Sequence, residues 1–364
     1  MAKTASRGRA TASAVAQSLG TLWRVLRSNP LTFFGFLLVS VICVVALIIA
    51  VTPHLVLNYG GIHWNIGGPL LHVFVPYGSQ QETGAFSQGP SWQHPFGTDA
   101  NSYDIYSNTM LALPLDLAIG FAIAGAALIG GGALGLIAGF YDTPGTVSGA
   151  VSVTIMRVTD VFLSFPSLIL ALAITRAIGL GVLPVVLAIG LTWWPFYVRL
   201  VRGEVLAVKH LPYVTAARAA GVREGRILLR HVVRNLLEPI IVYFTLDIGT
   251  VLVTYSTIGF IGVASKYPGP QPEWGAMLAF YQNAGSINTY PWEVLAPGLA
   301  IFVTVLAFSL LGDGLRDILD PRTRRAFVRG TVSHDPPPEA SSTAASGPDA
   351  PTVAEGPLEP RAVT

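Results

Sequence analysis

The chain has 364 residues, of which 52% are hydrophobic and only 12% are charged, and its mean hydropathy is +0.57. A soluble domain carries about 25% charged residues, so this composition excludes an ordinary soluble protein and predicts a membrane protein. The net charge of +2 gives no reason to expect nucleic acid as a partner. A single cysteine, Cys43, excludes an intrachain disulfide and a cysteine metal site.

Residues 1–30 precede the first apolar run and form a basic lead-in. Leu19, Leu22, Trp23 and Leu26 lie at helical spacing, which predicts an amphipathic helix at the membrane interface. A partly ordered basic tail is the alternative interpretation.

Six apolar runs predict six transmembrane helices and an all-α polytopic fold, because about 20 apolar residues cross a hydrocarbon core of about 30 Å. The first helix is predicted at 31–53, where the apolar run is longer than the roughly 7–15 residues of a cleaved signal peptide. The other five are predicted at 117–141, 158–175, 177–198, 239–264 and 294–312.

Lys and Arg are distributed unevenly between the two sides of the membrane. Cytoplasmic loops are enriched in these residues, and of all 22 only Arg176 and Lys266 fall on the opposite side. Residues 54–114 contain neither type, so they are predicted to form an external loop, with both chain termini cytoplasmic. The basic cytoplasmic face favours contact with anionic membrane lipid.

The rest of the chain divides into a core and a tail. Residues 115–325 are predicted to form a core of five transmembrane helices with a cytoplasmic loop at 199–235. Residues 326–364 are rich in Pro, Ala and Ser without an apolar period, which predicts a disordered cytoplasmic tail.

Glycine recurs every four residues in the second span, at Gly131, Gly135 and Gly139. Small residues let two helix backbones approach closely in lipid, so this face is predicted to pack tightly against another helix. That helix belongs either to the same chain or to a partner subunit. Pro166, Pro184 and Pro195 predict helix breaks within spans three and four, which are either ordinary kinks or part of a transport path.

The stretch YVTAARAAGVREGRILLRHVVRNLLEPI, residues 213–240, is the most basic part of the core. Small residues at helical spacing would let another surface approach the backbone; they are Ala216, Ala217, Ala220 and Gly221. A basic edge follows at spacings of three and four, made of Arg223, Arg226, Arg230 and Arg234. The pattern favours a helix that docks into a groove of a cytoplasmic partner. A helix lying on anionic lipid is the alternative.

Asp247 is predicted to be the one ionisable residue well inside a span, where facing lipid would cost at least about 2.5–3.5 kcal/mol. It is a candidate pore residue, unless it lies near the cytoplasmic end of its span and is merely solvated or paired. Asp160 is predicted to pair with Arg157 on its own helix.

His54, His63 and His72 recur every nine residues, a spacing that fits no compact metal site, so no metal is predicted. Residues 54–93 are instead expected to form a small lid or a docking surface. No nucleophile–base pair and no paired carboxylates stand out, so neither a catalytic site nor a cofactor is predicted.

Residues 213–240 resemble the EAA loop of ABC-importer permeases, in which an alanine run ends in glycine and an apolar helix follows. Four further segments resemble the dipeptide/oligopeptide/nickel branch of that family, in the same order. They are HPFGTDANSYDIYSN (94–108), MRVTDVFLSFPSLILAL (156–172), PEWGAML (272–278) and PWEVLAPGLAIFVTVLAFSLLGDGLRDILDPR (291–322). The resemblance covers roughly residues 94–325.

The resemblance implies a fold like that of a type I ABC importer permease, and a permease subunit that forms half of a translocation pore. The implied partners, besides membrane lipid, are two separate ATPase subunits, a second homologous permease and an extracytoplasmic solute-binding protein. The residues that would couple to the ATPase are Tyr213, Ala216, Ala217, Ala220, Gly221, Arg223 and Arg226. Di- or oligopeptides are the first-choice substrate, and nickel and oligosaccharides are the alternatives within the branch.

The chain departs from the family pattern at four positions. Thr215 and Tyr255 stand where glutamate is usual. Tyr103 stands in place of an arginine and Arg234 in place of a proline, so the family's salt bridges are not carried over to these four positions.

The source of energy separates the rival classes of transporter. The chain lacks a G-x-x-x-x-G-K-[ST] phosphate loop, so an importer built on it must hydrolyse ATP on another polypeptide. An ion-coupled secondary transporter is the main alternative, although it would place several carboxylates or histidines at the midplane. A membrane scaffold subunit would give no reason for the EAA-like loop.

Overall fold

The computed structural model describes residues 30–52, 56–59, 62–65, 67–143 and 145–319. Within these residues the chain is a bundle of helices with one short antiparallel hairpin, in which Val56 lies opposite Asn65. The prediction of an all-α membrane fold is confirmed. The predicted lead-in helix and the predicted disordered tail lie outside the described residues.

The elements follow one another with short connections. The hairpin is made of β1 (Val56–Tyr59) and β2 (Ile62–Asn65). In chain order the helices are α1 (Pro30–Val51), α2 (Gly67–Phe74), α3 (Ile105–Phe140), α4 (Val147–Leu163), α5 (Ser167–Ile178), α6 (Val182–Val208), α7 (Pro212–Ala219), α8 (Glu224–Ile227), α9 (Val233–Phe260), α10 (Trp274–Asn283), α11 (Ser286–Thr289) and α12 (Pro291–Leu319). A π-helical turn at Leu228–Val232 joins α8 to α9.

Five of the described helices, α1, α3, α6, α9 and α12, are long and apolar enough to cross a membrane. A sixth crossing is present if α4 and α5 are taken as one bent span, since these two helices meet at 86°. The break predicted at Pro166 within the span at 158–175 is therefore confirmed, whereas α6 continues through Pro184 and Pro195 without a break. Pro166 accounts for the break, because proline lacks the N–H that a helix needs and disfavours helical backbone at the residue before it.

Other helix starts also differ from the prediction, since α3, α4 and α9 begin earlier and α6 begins later. α3 begins at Ile105, well before residue 117, because Asp104 caps it: its Oδ2 accepts a hydrogen bond of 2.8 Å from the backbone N–H of Ser107. α6 begins only at Val182, after Gly181 with a φ of 136°, a conformation that favours glycine and interrupts a helix.

The glycine face of α3 packs on α6 of the same chain, which decides between the two alternatives that the sequence leaves open. A Cβ on Gly135 would lie 2.7 Å from the carbonyl oxygen of Val198. Gly131 approaches the carbonyl oxygen of Trp194 still more closely, and Gly139 is buried against the same helix. Backbones approach this closely only where the side chain is a hydrogen atom, so these glycines fix the position of α3 along α6.

The two ends of the bundle differ in character. α3, α6 and α12 run in one direction while α1 and α9 run back, as the contacts between their glycines and facing residues show. The basic end is the end that carries residues 199–234, and α1 starts and α12 finishes toward it. The cap, at the opposite end, consists of residues 75–104 and 263–283.

Candidate functional site

α7 and the turn after it form a compact unit at the basic end. Pro212 occupies the first helical position, where its missing N–H is not needed. The helix finishes in a Schellman motif, because Gly221 has a φ of 75° and donates its N–H to Arg218 O at 3.0 Å. In the same motif Val222 donates to Ala217 O at 3.2 Å. The chain therefore stops being helical directly after the alanine run.

Val214 anchors α7 to the long helices. Its side chain is fully buried in a cluster of apolar residues from α3, α6, α8, the π-helical turn and α9. The other members of this basal cluster are Phe140, Val201, Val205, Ile227, Val232 and Leu236. Burial of one valine side chain contributes about 1.5–3 kcal/mol. A displacement of α7 therefore acts on the ends of three long helices.

Two polar contacts also join α6 to the end of α3 beside the basal cluster. Lys209, at the end of α6, donates from Nζ to Gly139 O at 3.0 Å, and burial lowers the pKa of its ammonium group. Arg202 pairs with Asp142 at 2.9 Å. Both contacts tie α6 to the end of α3, so the helices joined by the glycine face are also joined at the basic end.

The structure separates the residues predicted to couple to an ATPase into two groups. Six are exposed: Tyr213, Ala216, Ala220, Gly221, Arg223 and Arg226. Ala217 is instead half-buried against the basal cluster and supports α7 from within. The predicted arginine edge does not continue α7, because the turn at Gly221 places Arg226, Arg230 and Arg234 on the segment that leads into α9. Arg218 and Glu224 pair across that turn at 2.7 Å.

Asp247 lies in the middle of α9, fourteen residues after Val233 and thirteen before Phe260. Asp247 is therefore not at an end of this helix, which favours the interpretation of it as a candidate pore residue. Its carboxylate accepts hydrogen bonds from two side chains of α6, the indole N–H of Trp193 at 2.9 Å and the hydroxyl of Tyr197 at 2.8 Å.

Sequence reasoning missed these two aromatic donors. Trp193 and Tyr197 lie one turn apart on one face of α6, and a Trp-x-x-x-Tyr spacing in the middle of an apolar run was a usable signal. Their pairing with α9 was not readable, because Asp247 lies 54 residues from Trp193 in the chain. Val214 was missed for a related reason, since a lone valine between alanines gives no sign of the cluster that buries it.

A recess of about 220 Å³ opens beside the carboxylate of Asp247. The other lining residues are Phe196, Tyr197 and Leu200 of α6 and Tyr243 of α9. Phe196 is 46% exposed and Tyr243 is 45% exposed, so the recess opens on the outer surface of the chain. Among the residues that the structure describes, no ion pair includes Asp247.

A polar stripe runs along α9 beside this recess. Tyr243, Asp247, Thr250, Thr254 and Thr257 follow one another at spacings of four and three, which places them on one helix face. None of these five residues is buried within the chain. Each threonine hydroxyl donates to the carbonyl oxygen one turn earlier, but a carboxylate has no such internal way to offset its charge. The stripe is therefore poorly suited to contact with lipid.

Two predictions about carboxylates in the spans are wrong. Asp116 also lies inside a span, in α3, where it is fully buried and its Oδ2 accepts the backbone N–H of Trp274 at 3.0 Å. Asp160 pairs with Arg199 at 2.7 Å and not with Arg157. The reason is tertiary packing, because α4 lies beside α6 and the guanidinium of that neighbouring helix reaches the carboxylate.

The HPFGTD segment contributes the buried carboxylate of Asp99, which joins the two parts of the cap by hydrogen bonds. Asp99 accepts hydrogen bonds from the backbone N–H groups of Asn101 and Tyr103, both at 2.9 Å. It also accepts the hydroxyl of Tyr267 at 3.0 Å, which links the two parts of the cap. Burial raises the pKa of Asp99, although these three donors oppose the shift.

The PEWGAML segment supplies a second buried carboxylate to the cap. Glu273 accepts hydrogen bonds from the hydroxyl of Tyr255 and from the backbone N–H of Ser265, the latter at 3.1 Å. Burial raises the pKa of Glu273. Trp274 donates its indole N–H to Thr109 O at 2.9 Å, which fixes α10 on α3. Tyr255, one of the departures from the family pattern, thus gives Glu273 a donor where a glutamate would repel it.

Within the part of the chain that the structure describes, no group of three or more His, Cys, Asp or Glu side chains is placed to hold a metal. The side chains of His54 and His63 lie outside the described residues, so the interpretation of the three histidines stays a prediction. The hairpin and α2 occupy the segment around them.

Residues 131–325 match the family described as binding-protein-dependent transport system inner membrane component. The dipeptide transport system permease protein DppC of Alkalihalophilus pseudofirmus is 38% identical over 260 residues, 70% of this chain and 82% of the relative. The glutathione transport system permease protein GsiD of Pectobacterium atrosepticum is 36% identical over 252 residues, 69% of this chain and 80% of the relative. The probable D,D-dipeptide transport system permease protein DdpC of Escherichia coli K12 is 35% identical over 258 residues, 70% of this chain and 83% of the relative.

Proposed function

Because the chain belongs to the family of binding-protein-dependent transport system inner membrane components, we propose that α7 couples it to ATPase subunits and that the face around Asp247 lines the transport path. The family inferred from the sequence is confirmed. The chain is therefore a membrane-embedded permease subunit of an importer. ATP hydrolysis belongs to separate subunits in this proposal, in keeping with the missing phosphate loop.

The exposed face of α7 is the proposed coupling surface. Ala216, Ala220 and Gly221 let a partner approach the backbone closely, and Arg223 and Arg226 add positive charge beside them. Two ATPase subunits close on ATP, and α7 follows the surface of the one on which it is docked. The pore responds only if α7 makes different contacts with the open and closed ATPase.

The basal cluster is the proposed transmission element. One observation carries the coupling proposal: α7 exposes its small residues while its Val214 is fully buried among the ends of α3, α6 and α9. A force on α7 therefore reaches α6 and α9, the two helices that form the recess beside Asp247.

The proposed orientation places the basic end in the cytoplasm and the cap outside. The Lys and Arg residues between 199 and 234 lie at the basic end, which supports this orientation. The cap and the external loop 54–114 then offer a surface to a solute-binding protein. The outer surface of α6 and α9 faces a second homologous permease, so that each subunit forms half of the pore. Residues 326–364 form the cytoplasmic tail in the same proposal.

A di- or oligopeptide is the proposed substrate. The relatives carry the names of dipeptide, glutathione and D,D-dipeptide transport systems, and all three names denote short peptides. Nickel and oligosaccharides, the other substrates implied by the branch, find less support in a recess that combines one carboxylate with aromatic walls.

Reconstitution tests the proposed function. The chain is placed in vesicles together with its ATPase subunits, second permease and solute-binding protein, and uptake of a radiolabelled dipeptide is measured. We expect uptake with ATP and none with a non-hydrolysable analogue. Uptake driven by an ion gradient without the ATPase subunits would contradict the proposal in favour of secondary transport. Stable assembly without uptake of peptide, nickel or oligosaccharide would contradict it in favour of a scaffold.

A further inference from the structure

The charge of Asp247 has no counter-charge among the described residues. Trp193 and Tyr197 donate hydrogen bonds to it, but both donors are neutral. A carboxylate offers about four acceptor positions. The contacts from these two side chains leave a position open on Oδ1, the oxygen that Tyr197 does not reach. A carboxylate in the middle of a membrane helix with unused acceptor capacity and no paired cation favours a positively charged ligand.

The walls of the recess favour one kind of cation. Phe196, Tyr197 and Tyr243 line it, and Trp193 packs behind them with its ring centroid 5.5 Å from that of Phe196. Aromatic faces attract ammonium groups. A hard metal cation would instead require several oxygen ligands, and Asp247 is the one carboxylate in the lining of this recess. The combination of a carboxylate with aromatic walls therefore favours an organic ammonium group over a metal ion.

The size of the recess favours one end of a ligand. Pockets that enclose a whole drug-sized ligand measure about 300–1,000 Å³, and this recess holds about 220 Å³. The threonine hydroxyls of the polar stripe continue from its mouth along α9. A ligand with a cationic end could therefore place that end in the recess while the remainder lies along the stripe.

We propose that the recess beside Asp247 binds the protonated amino terminus of a peptide in transit, with Asp247 as the counter-ion and the surrounding rings as its walls. This inference rests on the proposed function of the chain as a peptide permease. It assigns to the permease a preference for a free amino terminus that adds to any selection by the solute-binding protein.

Uptake by the complete reconstituted transporter tests the role of the charge. Asp247→Asn keeps the shape of the side chain and removes its charge, so we expect uptake of a dipeptide with a free amino terminus to fall by about 10-fold to 100-fold. Asp247→Glu keeps the charge and is expected to retain more uptake than Asp247→Asn. Asp313→Asn makes the same substitution at an exposed aspartate of α12, outside the recess and the polar stripe, and is the matched control that is expected to behave like the wild type. Co-purification with the ATPase shows that each variant assembles.

The outcomes separate this inference from the proposed function. A wild-type complex that takes up no peptide would contradict both the proposed function and this inference. A wild-type complex that takes up the dipeptide, together with an Asp247→Asn variant of unchanged uptake, would overturn the inference alone. A loss caused by Asp313→Asn as large as that caused by Asp247→Asn would also overturn it, since the removal of any aspartate charge would then have the same effect.

Photochemical crosslinking locates the amino terminus directly and does not depend on the behaviour of Asp247→Asn. Tyr243 is replaced by p-benzoylphenylalanine, and the complete transporter is irradiated during uptake of a tripeptide. Mass spectrometry then identifies the crosslinked peptide residue. We expect attachment at the amino-terminal residue. Attachment at the carboxyl-terminal residue, or no attachment while uptake continues, would overturn the inference.

Discussion

The cap and the basal cluster hold opposite ends of the same helices by different means. In the cap, the buried carboxylate of Asp99 accepts a hydrogen bond from Tyr267, 168 residues away in the chain, and the buried carboxylate of Glu273 accepts one from the backbone N–H of Ser265. In the basal cluster, aliphatic side chains around Val214 make the contact between α7 and the long helices. Buried polar networks require a specific geometry, whereas packed aliphatic helices can slide by small amounts. The difference indicates a fixed frame at the cap and a movable joint at the basic end.

The largest expected effect comes from the glycine face that links these two ends. In Gly131→Ala the new methyl group would overlap the carbonyl of Trp194 and force α3 away from α6. We expect a loss of about 3 kcal/mol or more in the free energy of unfolding, and poor recovery of folded protein. Gly130→Ala is the control, because a Cβ there has no heavy atom within 4 Å. Thermal unfolding in detergent compares the two, and equal stability would contradict the close approach.

The second effect tests whether the basal cluster, unlike the cap, transmits the movement of α7. Val214→Ala should cost about 2 kcal/mol through lost burial and a cavity in the basal cluster. It should also loosen coupling, so that ATP hydrolysis by the assembled transporter continues while peptide uptake falls roughly tenfold. Val147→Ala, at a valine of α4 that is 84% exposed and lies outside the basal cluster, should change neither rate. Parallel loss of hydrolysis and uptake in Val214→Ala would show that this valine serves assembly and not transmission.

The third effect is a pH dependence of stability that arises from the cap. Burial raises the pKa of Glu273 in the folded chain. Its contribution to stability is then fully present below the unfolded-state pKa and is lost as the pH rises through the folded-state pKa. Glu273→Gln is neutral at every pH, so it should melt higher than the wild type at about pH 8 and like the wild type at about pH 4. A variant that melts lower than the wild type at about pH 8 would contradict a raised pKa.

The smallest effect is expected from the solvent-exposed ion pair in the turn after α7. Arg218 and Glu224 pair at 2.7 Å, but their side chains are 45% and 47% exposed. Such pairs contribute about 0.2–1 kcal/mol and are screened by salt. A double-mutant cycle of Arg218→Ala and Glu224→Ala should therefore give a coupling energy of about 0.5 kcal/mol that vanishes in high salt. A coupling energy above about 2 kcal/mol would make the turn after α7 a rigid element and weaken the contrast with the cap.

Local patterns in the sequence predicted the features that depend on neighbouring residues. The spacing of Gly131, Gly135 and Gly139 was enough to predict a closely packed helix face, because it needs no knowledge of the partner. The end of α7 at Gly221 was less clear, since alanine and arginine continue to favour a helix on both sides of that turn. Proline was a less certain signal, since Pro166 breaks its span whereas α6 continues through Pro195.

Features that depend on distant residues were not predictable. Asp247 was identified as unusual, but its donors on α6 become neighbours only when α6 packs against α9. Asp99 and Glu273 lie in loops whose composition suggests solvated side chains, and the folded cap buries both. The exposed coupling residues were identified by resemblance, whereas the valine that anchors them was not.

Crosslinking tests the central claim, that α7 is the joint between this permease and an ATPase, most directly. Cys43→Ser removes the native cysteine, and Ala216→Cys then places one thiol on the exposed face of α7. Trp92→Cys, on the exposed surface of the cap, is the matched control. We predict that Ala216→Cys crosslinks to the ATPase subunit in the assembled transporter, with a yield that changes on ATP binding, and that Trp92→Cys does not. The account would be contradicted if an actively transporting complex gave no crosslink from Ala216→Cys, or gave one from Trp92→Cys instead.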